Sequence, residues 1–256
     1  MNYEEYDRAP GVRATHIKQG ALSMKHMHHA VTGQGLPDTL ALRWGRVVHL
    51  AVLEPAAFVE RVSVFAGRRA GGDWVEHCAE NDPDMTVKPA EYEALEAMSV
   101  AVHKEPDAHW LIEQSHHEVC KSWKGDYGRG KCRLDGIGDG WFFDLKTTAK
   151  DSERGFTSQF FSLGYDLQFG WYSEGTGIQK AYAIALGKAP PYDVRVKLIP
   201  PDVIKRGREQ AVKIAQEYRC CEIAGSWPGV APGITELEVP EWAMGEDELN
   251  MEGVEE

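Results

Sequence analysis

The chain has 256 residues, 43% of them hydrophobic, enough to build a substantial core for one large domain or two small ones. No apolar run reaches bilayer length and Met1–Pro10 is acidic and polar, so neither a membrane span nor a signal peptide is read, and a soluble cytoplasmic protein is expected. The net charge of −12 argues against a uniformly basic nucleic-acid binder, yet nine of the acids and no Lys or Arg fall in residues 236–256, so the remainder carries only −3.

Residues 1–38 read as an entry segment. Ile17, Leu22 and Met24 predict a helix over Thr15–Ala30, and Gly33, Gly35 and Pro37 then break the chain. Asp38 or Thr39 can cap a helix that carries His49 and runs to Leu53, where Pro55 stops it. A third helix is expected over Pro89–His103. The pattern then changes to strands at His117–Trp123, Arg129–Ile137 and Trp141–Thr147. Asp139-Gly140 supplies a tight turn, and the three segments read as antiparallel neighbours. Helix returns over Ser158–Glu174. Strands at Ala181–Leu186 and Tyr192–Ile199 flank Pro190-Pro191, and an amphipathic helix spans Asp202–Ile223. The expectation is one α/β domain over residues 1–235 and an acidic, poorly ordered tail at 236–256. Five cysteines with no C-x-x-C spacing read as reduced thiols, with neither a disulfide framework nor a structural zinc site.

The stretch Lys131-Cys-Arg-Leu-Asp135-Gly-Ile-Gly-Asp-Gly-Trp-Phe-Phe-Asp144-Leu-Lys146-Thr-Thr carries the chemistry. Two strands joined at a turn bring Asp135 and Asp144 together, and strand alternation puts Lys146 on the face of Asp144. Trp141, Phe142, Phe143 and Leu145 make this a buried strand, so those charges are not simply solvated. Carboxylate and carbonyl oxygens suit a hard divalent cation. Asp135 and Asp144 can hold it, the Leu145 carbonyl can complete part of its shell, and Lys146 can position or deprotonate a water and stabilise developing charge.

With these residues the sequence resembles the PD-(D/E)XK nuclease superfamily. Asp144-Leu-Lys146 matches its D-x-K element, Gly45-Arg-Val-Val-His49 its upstream G-x-x-x-H, and Gln168-Phe-Gly-Trp-Tyr172 its downstream Q-x-x-x-Y. Tyr6–Ile17, Leu42-Arg-Trp-Gly45, His49-Leu-Ala-Val-Leu-Glu-Pro55 and Phe58 are similar to the start of the RecE-like (exonuclease VIII) branch, a phage and prophage family. The resemblance implies an α/β core with a central mixed sheet flanked by helices. It also implies a Mg²⁺-dependent exonuclease, with Mn²⁺ able to substitute, that digests one strand of linear duplex DNA from the 5′ end and leaves 3′ overhangs for recombination. In that reading His49 is a metal ligand or borders the site, Asp135 and Asp144 are the principal ligands, and Lys146 is the catalytic lysine. Gln168 and Tyr172 support the site or touch substrate, and Glu118, on the preceding strand, is a second ligand or holds water. Arg13 is read as meeting a 5′-phosphate, and Arg129 and Lys131 as touching phosphates. A ring-shaped homo-oligomer and a single-strand annealing recombinase partner are further implications. Cys220 and Cys221 are adjacent with no trio following, so no iron–sulfur cluster is expected.

Two alternatives stay open. The same chemistry fits an endonuclease or a single-strand nuclease, and the same fold fits a non-catalytic DNA-binding or assembly module. Retention of both aspartates and the lysine disfavours the last.

Overall fold

The computed structural model describes residues 3–33, 39–150, 152–231, 233–234 and 236–239. The chain enters through α1 (Tyr3–Arg8), α2 (Ala14–Gly20) and α3 (Met24–Val31). The single helix expected over Thr15–Ala30 is therefore two. The Ser23 hydroxyl accepts from the His26 N–H at 3.2 Å and starts a new helix, a cap that the apolar spacing masks. The expected break at Gly35 and Pro37, with Asp38, lies outside the described residues. Thr39 caps α4 (Leu40–Leu53) by accepting from the Leu42 N–H. Pro55 does more than stop α4. It occupies the first turn of α5 (Pro55–Arg61), where its missing N–H costs nothing.

A small excursion follows that the sequence pattern does not disclose: β1 (Ser63–Val64), α6 (Gly72–Glu80) and β2 (Thr86–Val87), with β1 and β2 parallel. Then come α7 (Pro89–Lys104) and α8 (Pro106–Glu113), the latter also unforeseen. The central sheet runs β3 (His116–Gly125), β4 (Gly128–Gly138), β5 (Trp141–Thr148), β6 (Ala181–Gly187) and β7 (Val194–Ile199), in that spatial order. β3, β4 and β5 are antiparallel neighbours, β5 and β6 are parallel, and β6 and β7 are antiparallel, so the sheet is mixed. The parallel step is bridged by α9 (Glu153–Ser162) and α10 (Tyr165–Thr176). One helix was expected there; Gly164, at φ +62°, splits it. The last strand begins at Val194, two residues later than expected, because Tyr192 sits at φ +59° and cannot continue a ladder. α11 (Pro201–Ala224) closes the fold.

Alternation along the strands sorts the core into two layers. On β6, Ala181, Ala183 and Ala185 face a cluster with Phe142, Phe169, Trp171 and Ala211, while Ile184 and Leu186 face Val48, Met98, Phe143 and Leu145. α2, α3, α9, α10 and α11 thus cover one face and α4, α5, α7 and α8 the other. The alanines on β6 leave room for α10, which must also lie close to α11. A Cβ on Gly170 would meet the Gly207 backbone at 2.2 Å, and one on Gly207 would meet the Asp166 carbonyl oxygen at 2.2 Å.

This crossing decides the sign of a substitution. Gly→Ala inside an exposed helix normally stabilises by about 1 kcal/mol. Here backbone, not a flexible side chain, stands in the way. Gly170→Ala and Gly207→Ala are expected to destabilise by about 1–3 kcal/mol, read as a lower denaturant midpoint at unchanged m-value; a stabilised variant would contradict the close crossing.

Candidate active site

The site forms where two ladders lapse. β4 pairs with β5 only through Gly136↔Phe143, Ile137↔Phe142 and Gly138↔Trp141, whereas β5 stays paired with β6 from Phe142 to Thr148. Past Phe143, the β4 side of β5 has no strand partner among the described residues. Leu145 meets this gap with both backbone groups. Its N–H donates to Asp135 Oδ2 at 2.7 Å, and its C=O accepts from His49 Nε2 at 3.0 Å. His49 Nδ1 lies 3.5 Å from Asp135 Oδ1. The β3–β4 ladder also skips the step at Glu118, between His117↔Gly136 and Val119↔Leu134. Glu118 has φ +52°, a left-handed conformation that costs a non-glycine residue about 1–3 kcal/mol. The turn brings its carboxylate to the same place.

His49, Glu118 and Asp135 each offer a ligand atom, and the three atoms lie within 4.8 Å of one another. With the Leu145 carbonyl beside them, the donors are two carboxylates, one imidazole and one carbonyl. That set fits a hard divalent cation of the Mg²⁺ or Mn²⁺ type. Both ring nitrogens of His49 face oxygen atoms, an arrangement that favours the protonated ring.

Asp144 is turned toward a second group. Its Oδ2 pairs with the Lys146 ammonium, and its Oδ1 accepts from Gln168 Nε2 at 2.7 Å. The same Nε2 donates to the Tyr172 hydroxyl at 2.9 Å, and Gln168 Oε1 accepts from Lys146 Nζ at 3.2 Å and from Lys18 Nζ at 2.8 Å. Both ammonium groups lie over the Tyr165 ring, at 4.6 Å for Lys18 and 4.5 Å for Lys146. Asp144 is 1% exposed and Asp135 6%, so neither is a solvated turn residue.

The charges shift one another. Burial opposes an imidazolium at His49, but the charge and hydrogen bond of Asp135, with Asp144 and Glu118, lift its pKa to about 8. Burial and the Asp135 charge raise Glu118 to about 7 against the pull of Arg133, whose Nε stands 2.8 Å from Glu118 Oε2. Burial raises Asp144 too, together with Asp135. Asp135 is also buried, but His49, Lys146 and the Leu145 N–H overcome that and hold its carboxyl below the usual range. Lys146 is pulled up by Asp144 and Asp135 in spite of burial. Lys18 goes the other way, to about 7, because burial and the neighbouring Lys146 outweigh Asp144 and Asp166.

These residues line a cavity of about 760 Å³. Among the described residues seven basic side chains border it, including Arg13, Arg46, Arg61 and Lys188, against four acidic ones, so this concavity runs against the acidic balance of the chain. Arg13 is in the lining and pairs with Asp7 at 3.4 Å. Arg129 is exposed on β4 and is not part of the lining. Lys131 corrects the sequence reading. It is 2% exposed, and its ammonium donates to the carbonyls of Tyr6, Asp7 and Ala9 at 2.8, 3.2 and 2.6 Å. It ties down the end of α1 and has no face open to a phosphate. Lys18 and Tyr165 were not singled out from the sequence. No local motif marks them, because they come from α2 and α10 and meet only in the fold.

A five-stranded mixed sheet with carboxylates, a histidine and a lysine gathered at its splayed central strands defines a PD-(D/E)XK-type core. Residues 14–237 match the family described as a PDDEXK-like domain of unknown function (DUF3799), and the chain belongs to it. No curated protein matches the chain. Among solved structures, the fold is similar to that of a candidate exonuclease from Eubacterium rectale, with 14% identity, 87% of each chain covered and a TM-score of 0.61. A phage-related exonuclease from Haemophilus somnus 129PT aligns with 12% identity over 84% of this chain and 96% of its own, at a TM-score of 0.39.

Two outcomes follow from the charges. To serve as ligands His49 would have to be neutral and Glu118 ionised, so Mn²⁺ affinity is expected to rise steeply from about pH 6 to about pH 8 and then level off. Calorimetry in buffers of different ionisation enthalpy should show protons released on binding; a pH-independent affinity would contradict the displaced imidazolium proton. Lys131→Met is expected to speed amide exchange at residues 6–13, with the sheet still protected, and unchanged exchange there would contradict the anchoring role.

Proposed function

We propose that the chain is a metal-dependent DNA nuclease and, more narrowly, a RecE-like exonuclease that digests one strand of linear duplex DNA from its 5′ end. The observation that carries the reading is the meeting of the His49, Glu118 and Asp135 donors with Lys146 in one basic-rimmed cavity. A bound Mg²⁺ or Mn²⁺ would neutralise charge on the scissile phosphate and acidify a water. The chain's own groups have separate tasks. Asp135 fixes the edge of β5 by holding the Leu145 N–H, and Asp144, here paired with Lys146, would serve with Asp135 as a principal ligand of the cation. Lys146, once released, donates to the phosphate or takes a proton from the attacking water. Gln168 and Tyr172 keep Asp144 in its rotamer. The basic rim, with Arg13 in it, receives backbone phosphates.

The choice of duplex ends, the 5′–3′ direction, the ring-shaped oligomer and an annealing recombinase as partner rest on the likeness of Tyr6–Phe58 and the three motifs to the RecE-like branch.

Linear duplex labelled separately at its 5′ and 3′ ends, set beside closed circular duplex and single strands, tests the reading. With Mg²⁺, early release of the 5′ label and an intact circle are expected. Asp135→Ala, Asp144→Ala and Lys146→Ala should each lower the rate by at least about a hundredfold with the fold retained. Circle cleavage would move the assignment to an endonuclease, and inactivity on every DNA form with either metal would leave a binding module.

A further inference from the structure

The cavity is lined by a lysine, Lys18, to which the proposed chemistry gives no task of its own. Lys18 projects from α2, and its stem crosses the break between α9 and α10 at Gly164. A Cβ at Gly164 would meet Lys18 Cγ at 3.3 Å and Cδ at 3.7 Å, so the glycine that splits the two helices also makes room for the lysine. The stem delivers the ammonium to Gln168 Oε1 at 2.8 Å and to the face of Tyr165 at 4.6 Å. Among the described residues no carboxylate oxygen lies within salt-bridge distance of it. Among the described residues its close partners are an amide oxygen and a ring, with Asp144 and Asp166 acting at longer range; that is an expensive way to fill space, and a neutral side chain of that length would pack as well.

Its place beside Lys146 explains the expense. An amide oxygen has two acceptor sites, and on Gln168 these are taken by the two lysines. In the nuclease reading Lys146 turns from Asp144 and from that oxygen toward the substrate. Without a second donor the Gln168 carbonyl would then be stranded in a poorly solvated place, and its amide would be free to turn away from Asp144 and Tyr172.

We propose that Lys18 is a positioning residue that acts through Gln168, holding its amide oxygen while Lys146 is away so that Gln168 Nε2 stays on Asp144 and Tyr172. The inference rests on the nuclease reading above. Lys18 touches neither phosphate nor water in this role, so it governs turnover and not binding.

The test is steady-state cleavage of linear duplex by wild type, Lys18→Met, Lys18→Arg, Gln168→Met and the Lys18→Met/Gln168→Met pair, with thermal melting of each metal-free protein. Lys18→Met should lower kcat by about tenfold or more, on the scale of a small misplacement at a reacting centre. KM should stay within about twofold, and Lys18→Arg should restore most of the rate. Once Gln168 is Met, removing the Lys18 charge should cost little more, and the melting temperatures of the four proteins in the cycle should be non-additive in the same sense. A raised KM with kcat preserved would overturn the proposal by making Lys18 a direct DNA contact. Equal loss with and without Gln168, or a loss that only tracks melting temperature and is not rescued by arginine, would also overturn it. In those cases wild type still cleaves DNA and the nuclease reading stands. A wild type that cleaves nothing removes that reading, and this inference with it.

Discussion

One residue of β5 has a backbone N–H and a backbone C=O on a side where its neighbouring strand has left. Buried peptide groups must find partners, and a splayed ladder at Leu145 offers none from β4. Asp135 supplies the acceptor and His49 the donor. A carboxylate and an imidazole are thereby drawn to one gap and to each other, and Glu118 reaches the same gap through a strained φ in the next ladder. The donor set is thus partly a consequence of closing the sheet's hydrogen-bond account. Strand pairing over Gly136–Gly138 closes the far end of the gap, and the full β5–β6 ladder keeps β5 from following β4. Widening the gap would lose the ligands; zipping it shut would leave Asp135 nothing to bind.

The cost of this arrangement is electrostatic. Three carboxylates share a buried neighbourhood, and two of them, Glu118 and Asp144, have raised pKa values through burial and mutual repulsion. The metal-free site responds with its own cations. Asp135 and the Leu145 carbonyl favour the protonated form of His49, Lys146 pairs with Asp144, and Arg133 pairs with Glu118. Each of these contacts neutralises a ligand that a divalent ion would otherwise neutralise. If such a site takes up a metal, protons and the Lys146 ammonium would have to give way to it, which would link occupancy to pH.

How much of this could be read beforehand differs by scale. Strands β3 to β6 and helices α4, α7 and α11 were legible because apolar periodicity and turn residues act locally. The D-x-K strand, His49 on its helix, and Gln168 four residues before Tyr172 were legible as motifs. The breaks at Ser23 and Gly164 were not, since a loose apolar stripe runs through both and only a cap or a positive φ divides it. Nor was the grouping of ligands. Strand register suggested Asp135 beside Asp144, whereas each found a different partner set once β4 and β5 diverged. Lys131 misled because a basic residue at a strand surface looks solvent-facing until α1 and the residue after it fold over it and offer three carbonyls. In each case the missing information is a contact between segments far apart in sequence.

The helix α10 connects these scales. Its residues Gln168 and Tyr172 hold Asp144, its first turn supplies Tyr165 beneath the two lysines, and its middle is pressed against α11 at Gly170 and Gly207. The alanines of β6 set how near the helix may come to the sheet, and the glycines set how near it may come to α11. A helix packed on the small side chains of β6 and in backbone contact with α11 has little freedom to shift, and from it the Gln168 amide meets Asp144 at 2.7 Å. The glycine inside Gln168-Phe-Gly-Trp-Tyr172 therefore belongs to the site as much as the polar residues flanking it: the amide can only reach the carboxylate if the helix carrying it has no side chain at the crossing.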